Sequence, residues 1–326
     1  MSEKTFTFPI DEALTIARRG FLASLAITAL VGGIGVPISI GFAAPATPNP
    51  GSAQVQARVQ ARLRELEVAA QGRLGVYILD AASGQGYGYR ADERFMLLSS
   101  FKLLACALVL HRVDAGLESP QRRIPFTQQD LITWSPVTEQ HANGEGMTLA
   151  ELCEATITTS DNTAANLILS SYGGPAALTA YVRGLGDQVT RLDRIEPELN
   201  GKVGDEPMDT TSPRSMVASM NKVLLGDALS APSRDRLNDW LLGNTTGGNR
   251  LKAGLPADWS IGDKTGTNRT DANDIALIRP PGRAPLLVAA YLSDSAASGP
   301  KKDATIAAVG RLVRDIADLP DRAHRL

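Results

Sequence analysis

Apolar positions recur along the chain with two different periods, and the order of those periods outlines the fold. From Ala53 to Ala70 the spacing is helical, with Val55, Val59, Leu63 and Leu66 on one face and charges between them. Arg73–Asp80 reads as a strand, Ala82-Ser83-Gly84 as a turn and Gln85–Arg90 as a returning strand, so a hairpin is expected. From Phe101 to about Leu242 the pattern is mostly helical, broken by Gly-, Pro- and Asn-rich loops near 135–146 and 196–213. Three strand-like runs follow, Trp259–Thr267, Asp274–Ile278 and Pro285–Leu292, and an amphipathic helix from about Ala304 to Leu319 comes last. Strands at both ends with helices between them predict an α+β fold. The terminal segments, 47–98 and 248–326, would form an antiparallel sheet with flanking helices, and 99–247 an all-helical half. A cleft between two such halves is a common place for an active site.

Composition narrows the class. The 326 residues are 43% hydrophobic and 21% charged, enough for a sizeable core. The net charge of −2 points to no nucleic-acid or membrane-surface partner. Residues 1–46 stand apart. Arg18-Arg19-Gly20-Phe21-Leu22 opens an apolar stretch that ends in Ala43-Ala44-Pro45-Ala46. A twin arginine followed by Phe-Leu is similar to the signal of the twin-arginine export route, and Ala44-x-Ala46 is a cleavage site that gives a start near Thr47. The expected location is the periplasm. The alternative is a retained anchor: the stretch is long enough to span a bilayer, but glycines and Pro37 interrupt it. Cys106 and Cys153 are the two cysteines, and an even count in an exported protein favours a disulfide. Its loop of about 48 residues would be worth roughly 4 kcal/mol. Two separate buried thiols are the alternative.

Three short motifs carry candidate chemistry. Ser99-Ser100-Phe101-Lys102 precedes the apolar run Leu103–Leu110, which reads as a buried helix with Ser99 at its N-terminus. Residues three apart share a face, so Lys102 lies one turn below Ser99. The helix start offers free N–H groups to an oxyanion, and an amine in an apolar setting accepts a proton more readily. Alone, this motif also describes a serine cap with a surface lysine. In Ser160-Asp161-Asn162 a hydroxyl can relay a proton and an amide can hold a substrate carbonyl, but all three residue types also cap helices. In Lys264-Thr265-Gly266-Thr267, at a strand end, an ammonium and hydroxyls suit a carboxylate, Gly266 allows close backbone approach, and the Thr267 N–H is a second oxyanion donor.

In this order the three motifs resemble those of class A serine β-lactamases and penicillin-binding proteins, from about Ala53 to the final helix. The segment Glu196-Pro197-Glu198-Leu199-Asn200 separates the two, because it is similar to the E-x-x-L-N segment of class A β-lactamases. The resemblance implies Ser99 as nucleophile, Lys102 and Ser160 as proton-handling groups, and Glu196 as the base that activates water with Asn200. It also implies Asn162, Lys264, Thr265, Gly266 and Thr267 as substrate contacts, a cis bond before Pro197, and an ion pair between Arg194 and Asp209. Whether Lys102 or Glu196 is the acylation base stays open. The spacing of Cys106 after Ser99 and of Cys153 before Ser160 matches the disulfide of several class A enzymes. No arginine follows the Lys264 strand at the position many members use. The segment Gly243–Arg250 resembles that of members which supply it earlier, so Arg250 is expected to help hold the substrate carboxylate. Trp134 occupies the place of an aromatic cleft wall. Leu98 and Asn268 stand where some carbapenem-hydrolysing members join two cysteines.

Other chemistries fit poorly. His111, His141 and His324 lack metal-ligand spacing, and no G-x-S-x-G, Walker or Rossmann pattern occurs. The expectation is a monomer that needs no cofactor or metal and acts on β-lactams. Two alternatives share the three motifs, a D-Ala-D-Ala peptidase and a non-catalytic β-lactam sensor, and both would be labelled without turnover.

Overall fold

The strand-like runs at the two ends of the chain pair into one five-stranded sheet. The computed structural model describes residues 50–319; the export signal expected at 1–46, its cleavage site and His324 lie outside the described residues. Helix α1 (Pro50–Ala70) leads into the hairpin β1 (Arg73–Asp80) and β2 (Gly86–Tyr89). Strands β3 (Ser260–Thr267), β4 (Ala272–Arg279) and β5 (Leu286–Ser293) complete the sheet, in the order β2-β1-β5-β4-β3, with every neighbouring pair antiparallel. Strand β4 starts two residues before the expected Asp274, because Ala272 and Asn273 pair with Thr267 and Gly266. Asn273 looks like loop sequence, yet its buried amide donates to the Met96 carbonyl at 2.8 Å.

Both faces of the sheet are covered, which is why β5 reads as a continuous apolar run. Leu287, Ala289 and Tyr291 join the core shared with the middle helices. Leu286, Val288, Ala290 and Leu292 join the core under α1 and the last helix, α8 (Gly299–Ala317). The alternation is the two-residue period of a strand with an apolar partner on each side. Helix α8 begins five residues before the expected Ala304: its first turn is polar, with Pro300 near the start, and does not register as amphipathic.

The middle helices are α2 (Phe101–Asp114), α3 (Leu149–Thr158), α4 (Asn162–Ser171), α5 (Gly174–Gly184), α6 (Pro213–Leu224) and α7 (Ala231–Leu242). Helix α2 is buried at every position from Phe101 to Leu110, so it is a core helix and not a surface one. Each fully buried leucine in it contributes about 1.5–3 kcal/mol. Helix α3 starts on a reciprocal cap, with Thr148 Oγ1 accepting from the Glu151 N–H and Glu151 accepting from the Thr148 N–H. Among the described residues, no helix is long and apolar enough to cross a membrane.

The expected disulfide is absent. Cys106 of α2 and Cys153 of α3 are both buried free thiols. The Cys106 thiol donates to the Cys153 carbonyl oxygen at 3.7 Å. Burial pushes its pKa well above that of an ordinary cysteine, which disfavours the thiolate that disulfide formation needs. Packing of α2 on α3 brings the two residues together, and the result is the alternative of two buried thiols.

Candidate active site

The turn that carries Ser99 is held by the strand beside it. Ser99 lies in a single 3-10 turn, Leu98–Ser100, that runs directly into α2. Leu98 adopts a positive φ of 46° there, a conformation that side chains resist. Gly266 of β3 packs on this turn: a Cβ at that position would lie 2.8 Å from Leu98 Cβ and 3.2 Å from the Ser99 nitrogen. Only glycine lets the strand approach so closely.

One turn on, Lys102 is fully buried beneath Ser99. Its Nζ donates to Asn162 Oδ1 at 2.6 Å and the Ser160 carbonyl at 2.8 Å, and lies 3.2 Å from Glu196 Oε1. Burial pushes its pKa below the ordinary lysine value, and the Glu196 charge opposes that shift.

The Ser160-Asp161-Asn162 tripeptide divides its labour. Asp161 caps α4, accepting from the Ala164 N–H at 2.8 Å, and its carboxylate also takes the N–H groups of Val137 and Thr138. That fixed cap leaves Ser160, at a φ of 62°, and Asn162 facing the cleft. The capping and the chemical readings both hold, on different residues. Trp134 is 61% exposed and lines the cleft, with its indole N–H donating to the Thr159 carbonyl at 3.0 Å.

Glu196 follows the same logic of a buried charge held from several sides. It is 1% exposed. Its Oε1 accepts from the Ser99 hydroxyl at 3.2 Å and its Oε2 from Asn200 Nδ2 at 2.5 Å. The Glu196–Pro197 bond is cis. Asp209 closes the loop: it accepts from Arg194 Nε at 2.6 Å and from the backbone N–H groups of Asp193 and Arg194. Asn166 of α4, which the sequence reading missed, holds the Glu196 backbone in both directions. It lies four residues after Asn162, on the same helix face, and that spacing was the signal available.

On the opposite wall, Lys264 is fully buried and donates to Ser160 Oγ at 3.0 Å and to the Thr265 carbonyl at 2.8 Å. Burial and the nearby Lys102 charge push its pKa well below that of an ordinary lysine. Thr265 Oγ1 lies 2.5 Å from Thr246 Oγ1, a second residue the sequence reading missed. Arg250 stands next to this wall, bonded to Thr267. It is 7% exposed and lies outside the cleft lining, behind β3. Its guanidinium donates to Asp303, to the carbonyls of Gly266 and Asn273, and to Thr267 Oγ1 at 2.7 Å. Asp303 holds its Nε and the two strand carbonyls hold Nη1, which leaves Nη2 to reach Thr267 at the cleft.

The cleft between these walls has a volume of about 380 Å³ and is lined by Ser99, Trp134, Ser160, Asn162, Glu196, Asn200, Thr246, Thr265, Gly266 and Thr267. A hydroxyl, two buried ammonium groups and a carboxylate with an amide partner converge on it, which is the equipment of nucleophilic acyl transfer followed by hydrolysis. Among the described residues, no group of His, Cys, Asp and Glu is arranged to hold a metal ion.

A family model described as "Beta-lactamase enzyme family" matches residues 58–317. The solved structure of an ancestral class A β-lactamase is 56% identical, covers 79% of this chain and 99% of its own, and superposes with a TM-score of 0.78. The chain belongs to the class A serine β-lactamases. The class A β-lactamase of the last common ancestor of Gram-negative bacteria is likewise 56% identical, over 79% of this chain and 99% of its own, with a TM-score of 0.78. Beta-lactamase L2 of Stenotrophomonas maltophilia is 43% identical over 301 residues, which is 91% of this chain and 98% of that one. As a class A β-lactamase, the protein hydrolyses the β-lactam amide bond and so confers resistance to these antibiotics.

Proposed function

We propose that the enzyme acts on penicillins and cephalosporins through an ester on Ser99, with Glu196 serving both halves of the reaction. The observation that carries this reading is the position of one carboxylate: Glu196 Oε1 is 3.2 Å from the Ser99 hydroxyl and Oε2 is bound by Asn200. The substrate carboxylate binds Thr265 and Thr267, with Lys264 supplying charge from below and Arg250 supporting Thr267 from behind. Asn162 takes the side-chain amide, and Trp134 walls the cleft. Ser99 attacks the lactam carbonyl, whose oxygen turns toward the N–H groups of Ser99 and Thr267.

The Ser99 proton passes to Glu196, which its hydroxyl already faces. Lys102, paired with that carboxylate and linked to Ser160, relays a proton from Glu196 to Ser160, so that Glu196 is a carboxylate again before the second half. Ser160 delivers a proton to the ring nitrogen as the C–N bond breaks. Glu196 and Asn200 then direct a water onto the ester. Glu196 takes a proton from the water as the new C–O bond forms, and passes it to the Ser99 oxygen as the ester bond breaks. A penicillin-binding peptidase has no group in the position of Glu196, and its ester persists for that reason.

The same reading has the protein exported by the twin-arginine route, cleaved after Ala46, and working in the periplasm as a monomer without a cofactor. The cleft follows the seam between the segments 47–98 and 248–326 and the helical segment 99–247. Ser99→Ala tests the nucleophile: intact mass after exposure to benzylpenicillin shows no adduct, and a covalent adduct on that variant would overturn the assignment.

A further inference from the structure

Behind the carboxylate-binding end of the cleft, two aspartates are buried against each other. Asp263 of β3 and Asp274 of β4 are 2% and 0% exposed. The register pairs Asp263 with Ala276 and Thr265 with Asp274, so the two carboxyl groups are diagonal neighbours on one face of the sheet. Each carboxyl influences the protonation of the other. Asp263 Oδ2 also accepts from Asn244 Nδ2 at 2.6 Å, and Asp274 Oδ2 accepts from the Leu251 N–H at 3.1 Å. Asp274 Oδ1 is buried and receives no donor. The pair is pressed on backbone: a Cβ at Gly247 would lie 1.9 Å from Asp263 Oδ2.

Two bare carboxylates on diagonal positions of one buried face repel each other out of water, which calls for a proton on one. The neighbours decide which. Asn244 Oδ1 accepts from the Thr246 N–H at 3.0 Å and from the Thr246 hydroxyl at 2.8 Å. Its Nδ2 must therefore donate, and Asp263 must accept. Burial raises the Asp263 carboxyl as well, but less than that of Asp274, because Asn244, Lys264 and Lys252 favour its negative charge. Burial and the Asp263 charge push the Asp274 carboxyl well above the usual carboxylate range, against the pull of Arg250. The charged groups facing the pair are thus Lys264 from β3 and Arg250 and Lys252 from the segment after α7.

We propose that Asp274 is protonated at neutral pH and donates to an ionised Asp263, and that this singly charged pair positions Asn244, Thr246 and Thr265 for the substrate carboxylate. The role rests on the reading of Thr265 as a carboxylate ligand. A second ionisation would add negative charge at the end of the cleft that has to attract an anion.

Infrared spectroscopy of the purified protein at neutral pH tests the proton without substrate. A carboxylic-acid C=O band that is sensitive to D2O is expected, and Asp274→Asn should lack it. The same carboxylic-acid region in both proteins would overturn the protonated pair. Kinetics with benzylpenicillin test the positioning role. Asp274→Asn keeps a neutral donor and is expected to hold KM and kcat within about twofold, whereas Asp274→Ala raises KM about fivefold or more with a smaller change in kcat. An unchanged KM in the alanine variant, or an equal rise in both variants, overturns it.

Stability gives a third readout. A raised carboxyl pKa means that the folded state binds the extra proton, so its stabilising effect is lost as pH rises through that pKa. The melting temperature of Asp274→Asn relative to the parent therefore grows with pH, and a constant difference would contradict the pair. If the parent itself failed to turn over penicillin, the proposed function would fall while the infrared result would still judge the proton.

Discussion

Asn166 and Glu196 exchange two hydrogen bonds: Asn166 Nδ2 donates to the Glu196 carbonyl at 2.8 Å, and the Glu196 N–H donates to Asn166 Oδ1 at 3.0 Å. This reciprocal pair fastens the backbone of the residue proposed to activate water to α4, the helix that also begins at Asn162. A carboxylate held by its main chain returns to the same place after each turnover. Asn166→Ala removes both bonds and leaves the Glu196 backbone groups unpaired, which costs about 1–3 kcal/mol in holding the loop. The expected outcome is a fall in kcat of about tenfold or more with KM changed less. Steady-state kinetics with benzylpenicillin check it, and an unchanged kcat would show that the Arg194–Asp209 pair alone holds the loop.

Lys264 predicts a pH dependence with two opposite signs. Its pKa lies well below the ordinary lysine value because it is buried beside Lys102. As pH rises through that lowered value, the amine loses its charge and its attraction for the substrate carboxylate, so KM climbs well before the ordinary lysine range. Stability moves the other way. Between the lowered pKa and the ordinary one, the unfolded chain binds more protons than the folded one, so stability rises with pH across that window. Profiles of KM and of the urea midpoint against pH measure both. A KM that stays flat to about pH 10.4, the ordinary lysine value, would contradict the buried ammonium.

The thiols give a simple test. Cys106 and Cys153 are free in the core. Reductant is therefore expected to leave the melting temperature unchanged in calorimetry. A disulfide closing that loop would contribute roughly 4 kcal/mol, so a clear drop on reduction would show that the bond forms.

What could be read from the sequence depended on whether local spacing decides the contact. Ser99 and Lys102 lie three residues apart on a helix, so their shared face follows from the chain alone. The unbroken apolar run of β5 likewise points to two buried faces without any knowledge of what covers them. Arg250 lies in a loop with no periodicity, and nothing local tells which side of β3 its guanidinium takes. Asn166 and Thr246 were missed for a similar reason: a polar residue on a helix or in a loop looks solvated until its partner is known. Asp263 and Asp274 were both inside predicted strands, but their contact depends on the pairing register of β3 with β4, and register is a tertiary property. The cysteine spacing gave proximity correctly. It did not give the bond, because the state of the thiols depends on chemistry that spacing does not encode.

The central claim is that Glu196 drives water onto the Ser99 ester, and intact-mass spectrometry of Glu196→Ala during exposure to benzylpenicillin tests it most directly. The account predicts one equivalent of adduct on Ser99 that accumulates and persists, while the parent enzyme shows at most a transient adduct and many turnovers. Rapid turnover by the Glu196→Ala variant, with no accumulated adduct, would contradict it.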